Sequence, residues 1–269
     1  MGTIGFVGSG NMAEALIKGI TTAGVYKPEN VFISDIKAER LKFLAEKYNV
    51  VPLENNAGLA AKVDILVLSV KPQNMTEALE SIKPAFKPET LIISIAAGVK
   101  VTKIADALGD VAIVRVMPNT PALISEGASA LFANDKAKPM LEKAKSIFSA
   151  VGEAVVVDDE SLIDAVTAVS GSGPAYYFLL MEEMIKAACQ LGLSDEIAKT
   201  LVLQTAKGAA LLAVEADKRA ESPAELRRKV TSPGGTTEAA LKVFAEGGFG
   251  PLIAEAIKKA HDRSQQLSA

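Results

Sequence analysis

This chain of 269 residues has one cysteine and one histidine, and its acidic and basic residues nearly balance. The single Cys189 excludes an internal disulfide and any cysteine metal cluster. On its predicted helix it reads as a small buried apolar residue. The single His261 lies beside Asp262 and Arg263 in the last predicted helix and reads as a surface residue. No histidine–carboxylate metal spacing is present, and no metal is expected. A net charge of -3 gives no general attraction to nucleic acid or to acidic membrane. No apolar run approaches the roughly 20 residues that a membrane helix needs. The N-terminus enters a strand without a charged region, an apolar stretch and a cleavage site. The expectation is a soluble, cytoplasmic protein with neither nucleic acid nor membrane as partner.

What is present points to a substantial core. Hydrophobic residues make up 49% of the chain, and the mean hydropathy is +0.25. The length suits one large domain or two modest ones. The first half alternates between apolar runs and helical spacing. Strands are predicted over 3–7, 31–34, 65–70, 91–95 and 111–117, with 127–132 and 154–157 as extensions. Helices are predicted over 13–23, 38–48, 75–82, 101–108 and 138–151. Unbroken apolar strands that each lead into a helix argue for an α/β fold, a Rossmann-type doubly wound, mostly parallel sheet covered on both faces. After residue 158 only helices are predicted: 160–169, 174–191, 194–214, 223–230, 236–246 and 251–266. The domain reading is therefore 1–158 for dinucleotide binding and 159–269 for an all-helical dimerisation and substrate domain. Phe178, Leu179, Leu180, Met181 and Met184 leave little polar face on one of these helices. A helix apolar on most sides must be buried, and a second copy of the chain is the simplest cover.

Gly8-x-Gly10-x-x-Ala13 follows the first predicted strand and opens a helix. Gly8 permits the tight turn, Gly10 lets a pyrophosphate approach the backbone, and Ala13 allows close helix–strand packing. N–H groups at the helix start, around Ser9, Asn11 and Met12, then face the phosphates. Asp35 ends the second predicted strand, where an acid binds the 2′-hydroxyl of NAD and repels the 2′-phosphate of NADP. Ser34, Lys37 and Arg40 are close enough in sequence to receive that phosphate instead. Asp35 also reads as an N-cap for 38–48, and residue types leave these alternatives open. Val70 ends the 65–70 strand and Lys71 and Pro72 follow it, while Pro118 and Asn119 lie beyond the 111–117 strand. Both loops are on the sheet edge where ligands of such folds bind.

Those loops contain no histidine to act as acid, and Lys71 is the only obvious replacement. Carbonyl reduction would need a proton or charge stabilisation. A protonated imine already carries its positive charge, so a hydroxyl that orients the nitrogen suffices. Thr237 is such a hydroxyl, at the start of a predicted helix directly after Gly234-Gly235. Backbone N–H groups there favour a carboxylate. A cyclic imino acid pairs a carboxylate with a C=N bond.

Together these stretches resemble the pyrroline-5-carboxylate reductase family over nearly the whole chain. The marks are Gly5-Phe6-Val7-Gly8-Ser9-Gly10-Asn11-Met12-Ala13, Ser69-Val70-Lys71-Pro72, Arg115-Val116-Met117-Pro118-Asn119-Thr120-Pro121, Ser170-Gly171-Ser172-Gly173-Pro174-Ala175-Tyr176 and Ser232-Pro233-Gly234-Gly235-Thr236-Thr237. The resemblance implies hydride transfer from NAD(P)H to 1-pyrroline-5-carboxylate, giving L-proline, the last step of proline biosynthesis. It favours NADP(H) over NAD(H), although Asp35 stands where many NADPH-preferring members have an uncharged or basic residue. It implies a homodimer, or a larger homo-oligomer built from dimers. By position, Thr237 would bond the substrate nitrogen, and Ser232, Gly235 and Thr236 would hold the carboxylate. Asn56 would lie near the adenosine ribose, and Lys71 and Pro118 would line the nicotinamide site. A β-hydroxyacid dehydrogenase is a rival reading, but it would need a lysine early in the helical half, and the first there is Lys186. A non-catalytic NAD(P)-binding sensor is another; it would have no use for the Gly-Gly-Thr-Thr helix start.

Overall fold

The computed structural model describes residues 2–268. The chain folds as two compact units. One runs through Pro174 and takes back the residues from Lys259 onward; the other is Ala175–Lys258.

The first unit is built on β1 (Ile4–Val7), α1 (Asn11–Thr22), β2 (Val31–Ser34), α2 (Ala38–Tyr48), β3 (Val51–Pro52), α3 (Asn56–Ala60), β4 (Ile65–Leu68), α4 (Met75–Ile82), β5 (Leu91–Ser94), α5 (Val101–Leu108), β6 (Ile113–Met117), β7 (Gly127–Ala133), α6 (Leu141–Ser149) and β8 (Gly152–Val156). The strands form one sheet in the order β3-β2-β1-β4-β5-β6-β7-β8. β1 through β6 run parallel; β7 is antiparallel to β6, and β8 parallel to β7. Successive side chains leave a strand on opposite faces. Thus Ile65 and Val67 join Leu16, Ile17, Leu44 and Phe148 in one core layer. Leu66 and Leu68 join Leu59, Met75, Leu79 and Ile104 in the other. The doubly wound expectation holds, with both faces covered. β1 is flanked by β2 on one side and β4 on the other, so the direction of winding reverses there. Ligands of such sheets bind at this point, outside the carboxyl ends of the strands.

Two elements lie outside the sequence reading, the two-residue β3 and the five-residue α3. Both are too short to show periodicity. β4 stops at Leu68, two residues before the expected end, because Ser69 turns away to bond the glycine loop.

Helices follow β8: α7 (Leu162–Val166), a π-helical turn at Thr167–Gly171, α8 (Gly173–Gln190), α9 (Asp195–Asp217), α10 (Pro223–Lys229), α11 (Thr236–Glu246) and α12 (Phe249–Leu267). The change from strands to helices falls at the expected place. The first unit nevertheless continues to Pro174, because α7 and the π turn bury Ile163, Asp164 and Ala168 within it. Ser194 caps α9, and Ser222 forms a capping box with Glu225 that starts α10 at Pro223.

Few side chains of the second unit are buried; Ala198, Val202 and Ala216 are among them. Phe178 and Tyr177 on α8 and Leu201, Leu211 and Val214 on α9 are more than half exposed. Cys189 is half-buried, not enclosed as expected. By length and composition alone α9 is apolar enough to cross a membrane, with a mean hydropathy of 1.3. The sequence reading did not find this, because Lys199 and Lys207 interrupt the apolar residues.

Candidate active site

β1 ends in a turn that only glycine accommodates. Gly8 has φ +88°, and a Cβ on it would meet the Ser69 carbonyl oxygen at 2.9 Å. Its N–H donates to the Ser34 carbonyl at 2.9 Å. The Ser69 hydroxyl donates to the carbonyls of Val7 and Gly8 at 3.0 and 2.6 Å. The loop is thereby anchored to the ends of β2 and β4 together. Ser69 was quoted in the sequence only as part of a motif; its role as an anchor depends on β1 and β4 being neighbours.

Gly10 is the N-cap of α1 and has no side-chain cap. A Cβ placed on it would meet nothing within 4 Å, so the space over the helix start is open. The Ser9 hydroxyl in the same loop is buried without a hydrogen-bond partner among the described residues. A tight turn, an open approach to helix-terminal N–H groups and an orphaned hydroxyl all fit a dinucleotide's phosphates.

The predicted ribose residues gather beside this loop. Asp35 Oδ2 accepts the Ser9 N–H at 2.6 Å, and Oδ1 accepts the Lys37 N–H at 2.9 Å. It does not cap α2, whose N-cap is Lys37. Ser34, which is buried, donates its hydroxyl to Asn56 Oδ1 at 2.8 Å, and Asn56 Nδ2 donates to Ser81 at 2.9 Å. Ser81 escaped the sequence reading, since only the fold brings α4 to α3. Arg40 Nε donates to the Ser9 carbonyl at 2.6 Å, and its Nη2 pairs with Glu14 at 2.5 Å. Just beyond β2, Lys37, Ala38, Glu39, Arg40 and Phe43 line a cavity of about 560 Å³.

On the other side of β1, Val70 lies against Gly8. Lys71 is exposed and precedes a 3₁₀ turn that Pro72 begins. Pro118 and Asn119 follow β6 and are buried. The Asn119 amide is engaged by the protein: Nδ2 donates to the Ser170 carbonyl at 3.0 Å, and Oδ1 accepts the Ala128 N–H at 2.8 Å. It ties the loop after β6 to β7 and to the π turn. Nearby, the buried Arg115 pairs with Glu160 at 2.9 Å, and the same Glu160 oxygen accepts the Val101 N–H at 2.8 Å.

The second unit carries the remaining predicted residues. Gly234 takes φ +72°, and Gly235 is the N-cap of α11 without a side-chain bond. The Gly235 N–H returns to the Ser232 carbonyl at 3.0 Å, closing a tight loop. Glu238 accepts the Gly234 N–H at 2.7 Å. Thr236 and Thr237 open the helix, where N–H groups have no intrahelical acceptor and can take a carboxylate. Thr237 is half-buried and Ser232 exposed. Lys186, the lysine that the dehydrogenase rival would need, is bonded to Glu182 and Glu183 at 2.7 and 2.8 Å. These bonds hold its pKa far above the usual lysine range, the reverse of what an acid–base lysine requires.

The sheet, its switch point and the glycine loop define a dinucleotide-binding protein of the Rossmann type. Residues 160–267 match the family model described as pyrroline-5-carboxylate reductase dimerisation, and residues 3–98 match that described as NADP oxidoreductase coenzyme F420-dependent. A pyrroline-5-carboxylate reductase of Pseudomonas aeruginosa is 49% identical, over 98% of this chain and 96% of its own. The structure of such a reductase from Coxiella burnetii superimposes with a TM-score of 0.94 at 40% identity, covering 100% of this chain and 99% of the other. That of the Plasmodium falciparum pyrroline carboxylate reductase, with NADP bound, gives 0.87 at 32% identity, over 100% and 98%. The chain belongs to the pyrroline-5-carboxylate reductase family. It is an NAD(P)-dependent oxidoreductase, and the match to a dimerisation model supports its association with copies of itself.

Proposed function

We propose that this chain reduces the C=N bond of 1-pyrroline-5-carboxylate to L-proline with NADPH in preference to NADH, as a cytoplasmic homodimer or an assembly of dimers. The observation that carries this is the loop at Gly8–Gly10, turned by Ser69 and Ser34 and open above Gly10. NAD(P)H, when bound, supplies the hydride. Backbone N–H groups of Gly10, Asn11 and Met12, with the Ser9 hydroxyl that lacks a partner among the described residues, hold its pyrophosphate. Ser34, Asp35 and Asn56 face the adenosine ribose. Val70, Lys71, Pro72, Pro118 and Asn119 form the nicotinamide side, where Asn119 acts by fixing the loop.

Ser232, Gly235 and Thr236 hold the substrate carboxylate at the start of α11, and the helix dipole favours that charge. The Thr237 hydroxyl orients the imine nitrogen. The protonated imine loses its charge as the hydride arrives, so no side chain has to deliver a proton at that moment. The lone His261 is accordingly not needed. The NADPH preference is supported by Lys37 and Arg40 in the cavity beyond β2. The dimer is supported by the exposed apolar residues of α8 and α9, which a single chain leaves in water.

Steady-state turnover of pyrroline-5-carboxylate, with NADPH and NADH in parallel, tests the reading. Consumption of either cofactor with formation of proline is expected. Cofactor binding without turnover would instead favour a sensor.

A further inference from the structure

Arg115 stands in the middle of β6, and its side chain is 2% exposed. A buried guanidinium is costly unless it is paired and hydrogen-bonded. Its partner is Glu160, between β8 and α7, with Arg115 Nη1 donating to Oε1 at 2.9 Å. The same oxygen accepts the Val101 N–H at 2.8 Å, across 59 positions of chain. Val101 is the first residue of α5, and Lys100, the N-cap, makes no side-chain cap bond. The first N–H groups of a helix have no intrahelical acceptor. Glu160 therefore supplies the missing cap from a distant part of the chain, and Arg115 fixes where its carboxylate sits.

What Glu160 holds is the exit of a loop at the carboxyl edge of the sheet. β5 lies between β4 and β6 and runs parallel to both. Residues 95–100, which follow it, thus emerge between the loops after β4 and β6 that the reading above gives to the nicotinamide. They form a tight turn, with the Val99 N–H near the Ala96 carbonyl at 3.4 Å and Gly98 at φ +72°. A Cβ on Gly98 would meet the Leu267 carbonyl oxygen at 2.9 Å, so the turn is seated against the end of α12. Ala96, Val99 and Val101 are buried, and Ala97 at the tip is exposed. With Glu160 at its exit and α12 against Gly98, the turn has little room to shift. Resting on that reading, we infer that Glu160 is a positioning residue for the reaction. It acts through the Val101 N–H, holding the 95–100 turn at the nicotinamide end of the cofactor site. A misplacement of about 1 Å there is enough to cost about a hundredfold in rate.

The test compares two paired substitutions in the full-length protein, since removal of Glu160 alone would strand the buried guanidinium. Arg115→Met with Glu160→Met leaves neither charge nor acceptor. Arg115→Met with Glu160→Gln restores an acceptor for the Val101 N–H. Each is followed by urea unfolding and by steady-state turnover of pyrroline-5-carboxylate with NADPH. Calorimetric titrations with NADPH and with 2′,5′-ADP, which lacks nicotinamide, separate the two ends of the cofactor. The methionine pair is expected to lower kcat roughly ten- to a hundredfold and to weaken NADPH binding, while the affinity for 2′,5′-ADP stays as it was. The glutamine pair is expected to recover most of the kcat. Unchanged kcat in the methionine pair, an equal loss in both pairs, or equal weakening of both probes overturns the inference, the last reducing Glu160 to a general staple. If a paired variant does not fold, Glu160→Asp carries the test. Its shorter arm draws the carboxylate back from both donors, and a smaller fall in kcat is expected. Unchanged kcat there, with an unchanged ratio of the two affinities, overturns the inference. Absence of turnover in the unaltered chain with both NADPH and NADH removes the functional reading, whereas turnover that the methionine pair leaves intact removes this inference alone.

Discussion

The Ser264 hydroxyl donates to Asp164 across 2.5 Å, and the two residues lie a hundred positions apart in the chain. Ser268 adds a longer bond of 3.4 Å to the same carboxylate oxygen. All three residues are buried, Asp164 to 6% exposure. The last turns of α12 are thus secured to α7 by a carboxylate and two hydroxyls. A buried polar group that loses its partners incurs its full desolvation penalty.

Removal of that partner is therefore more damaging than removal of the pair. Ser264→Ala is expected to cost about 1–3 kcal/mol in urea unfolding. Asp164→Ala combined with Ser264→Ala should cost less than the sum of the single changes, since of the three groups only the Ser268 hydroxyl, with the longest bond, then loses its partner. Strict additivity in the double-mutant cycle would show that the bond contributes nothing.

Gly10→Ala separates folding from cofactor binding. A Cβ at this position meets nothing within 4 Å, and Gly10 has a φ of -69°, which alanine adopts readily. Stability should fall by no more than about 1 kcal/mol, the N-cap preference for glycine. The added methyl group nonetheless occupies the approach of the pyrophosphate, so affinity for NADPH should drop sharply. Normal affinity in a folded variant would move the phosphates elsewhere.

Thr237→Ala tests the oriented imine. Loss of one hydrogen bond to a charged group costs about 1.5–3 kcal/mol, or roughly ten- to a hundredfold in rate. The decrease is expected in kcat, with the Kd for NADPH nearly unchanged, because the hydroxyl belongs to the substrate's helix start. Undiminished turnover would take Thr237 out of the chemistry.

Acid should loosen the start of the sheet first. The Asp64 carboxylate accepts the Thr3 N–H at 2.7 Å and the Thr3 hydroxyl at 3.0 Å. The backbone bond outweighs the opposing burial and holds the Asp64 pKa below the ordinary value. A folded pKa below the unfolded one contributes stability that is complete above the unfolded value, about 3.9 for aspartate. That stability is lost as the pH falls through the lower folded value. Protection of the Thr3 and Ile65 amides, measured against their intrinsic exchange rates, should fall across this window, and Asp64→Asn should flatten the dependence. An identical pH profile in Asp64→Asn would show that the carboxylate has no such part.

The parallel sheet was legible because buried strands such as Ile65–Leu68 are apolar without interruption, and α2, α4 and α5 begin and end where their periodicity does. β3 and α3 were not legible. A strand of Val51 and Pro52 has no alternation to display, and five residues make barely more than one helical turn. Asn119 read as a cofactor-binding residue in a loop that faces the nicotinamide. Its amide instead joins Ser170 to Ala128, and residue type cannot tell which partner an amide will find.

By itself, the order of residues determined the alternating half, the glycine fingerprint and the apolar helices, since each follows from neighbours within a few positions along the chain. Tertiary structure alone decided that Arg40 braces Ser9, that Ser69 anchors Gly8, and that Asp164 holds Ser264. Those bonds span 31, 61 and 100 positions. A hydrogen bond needs its two atoms within about 3 Å, and at such separations only the folded path of the backbone brings them that close.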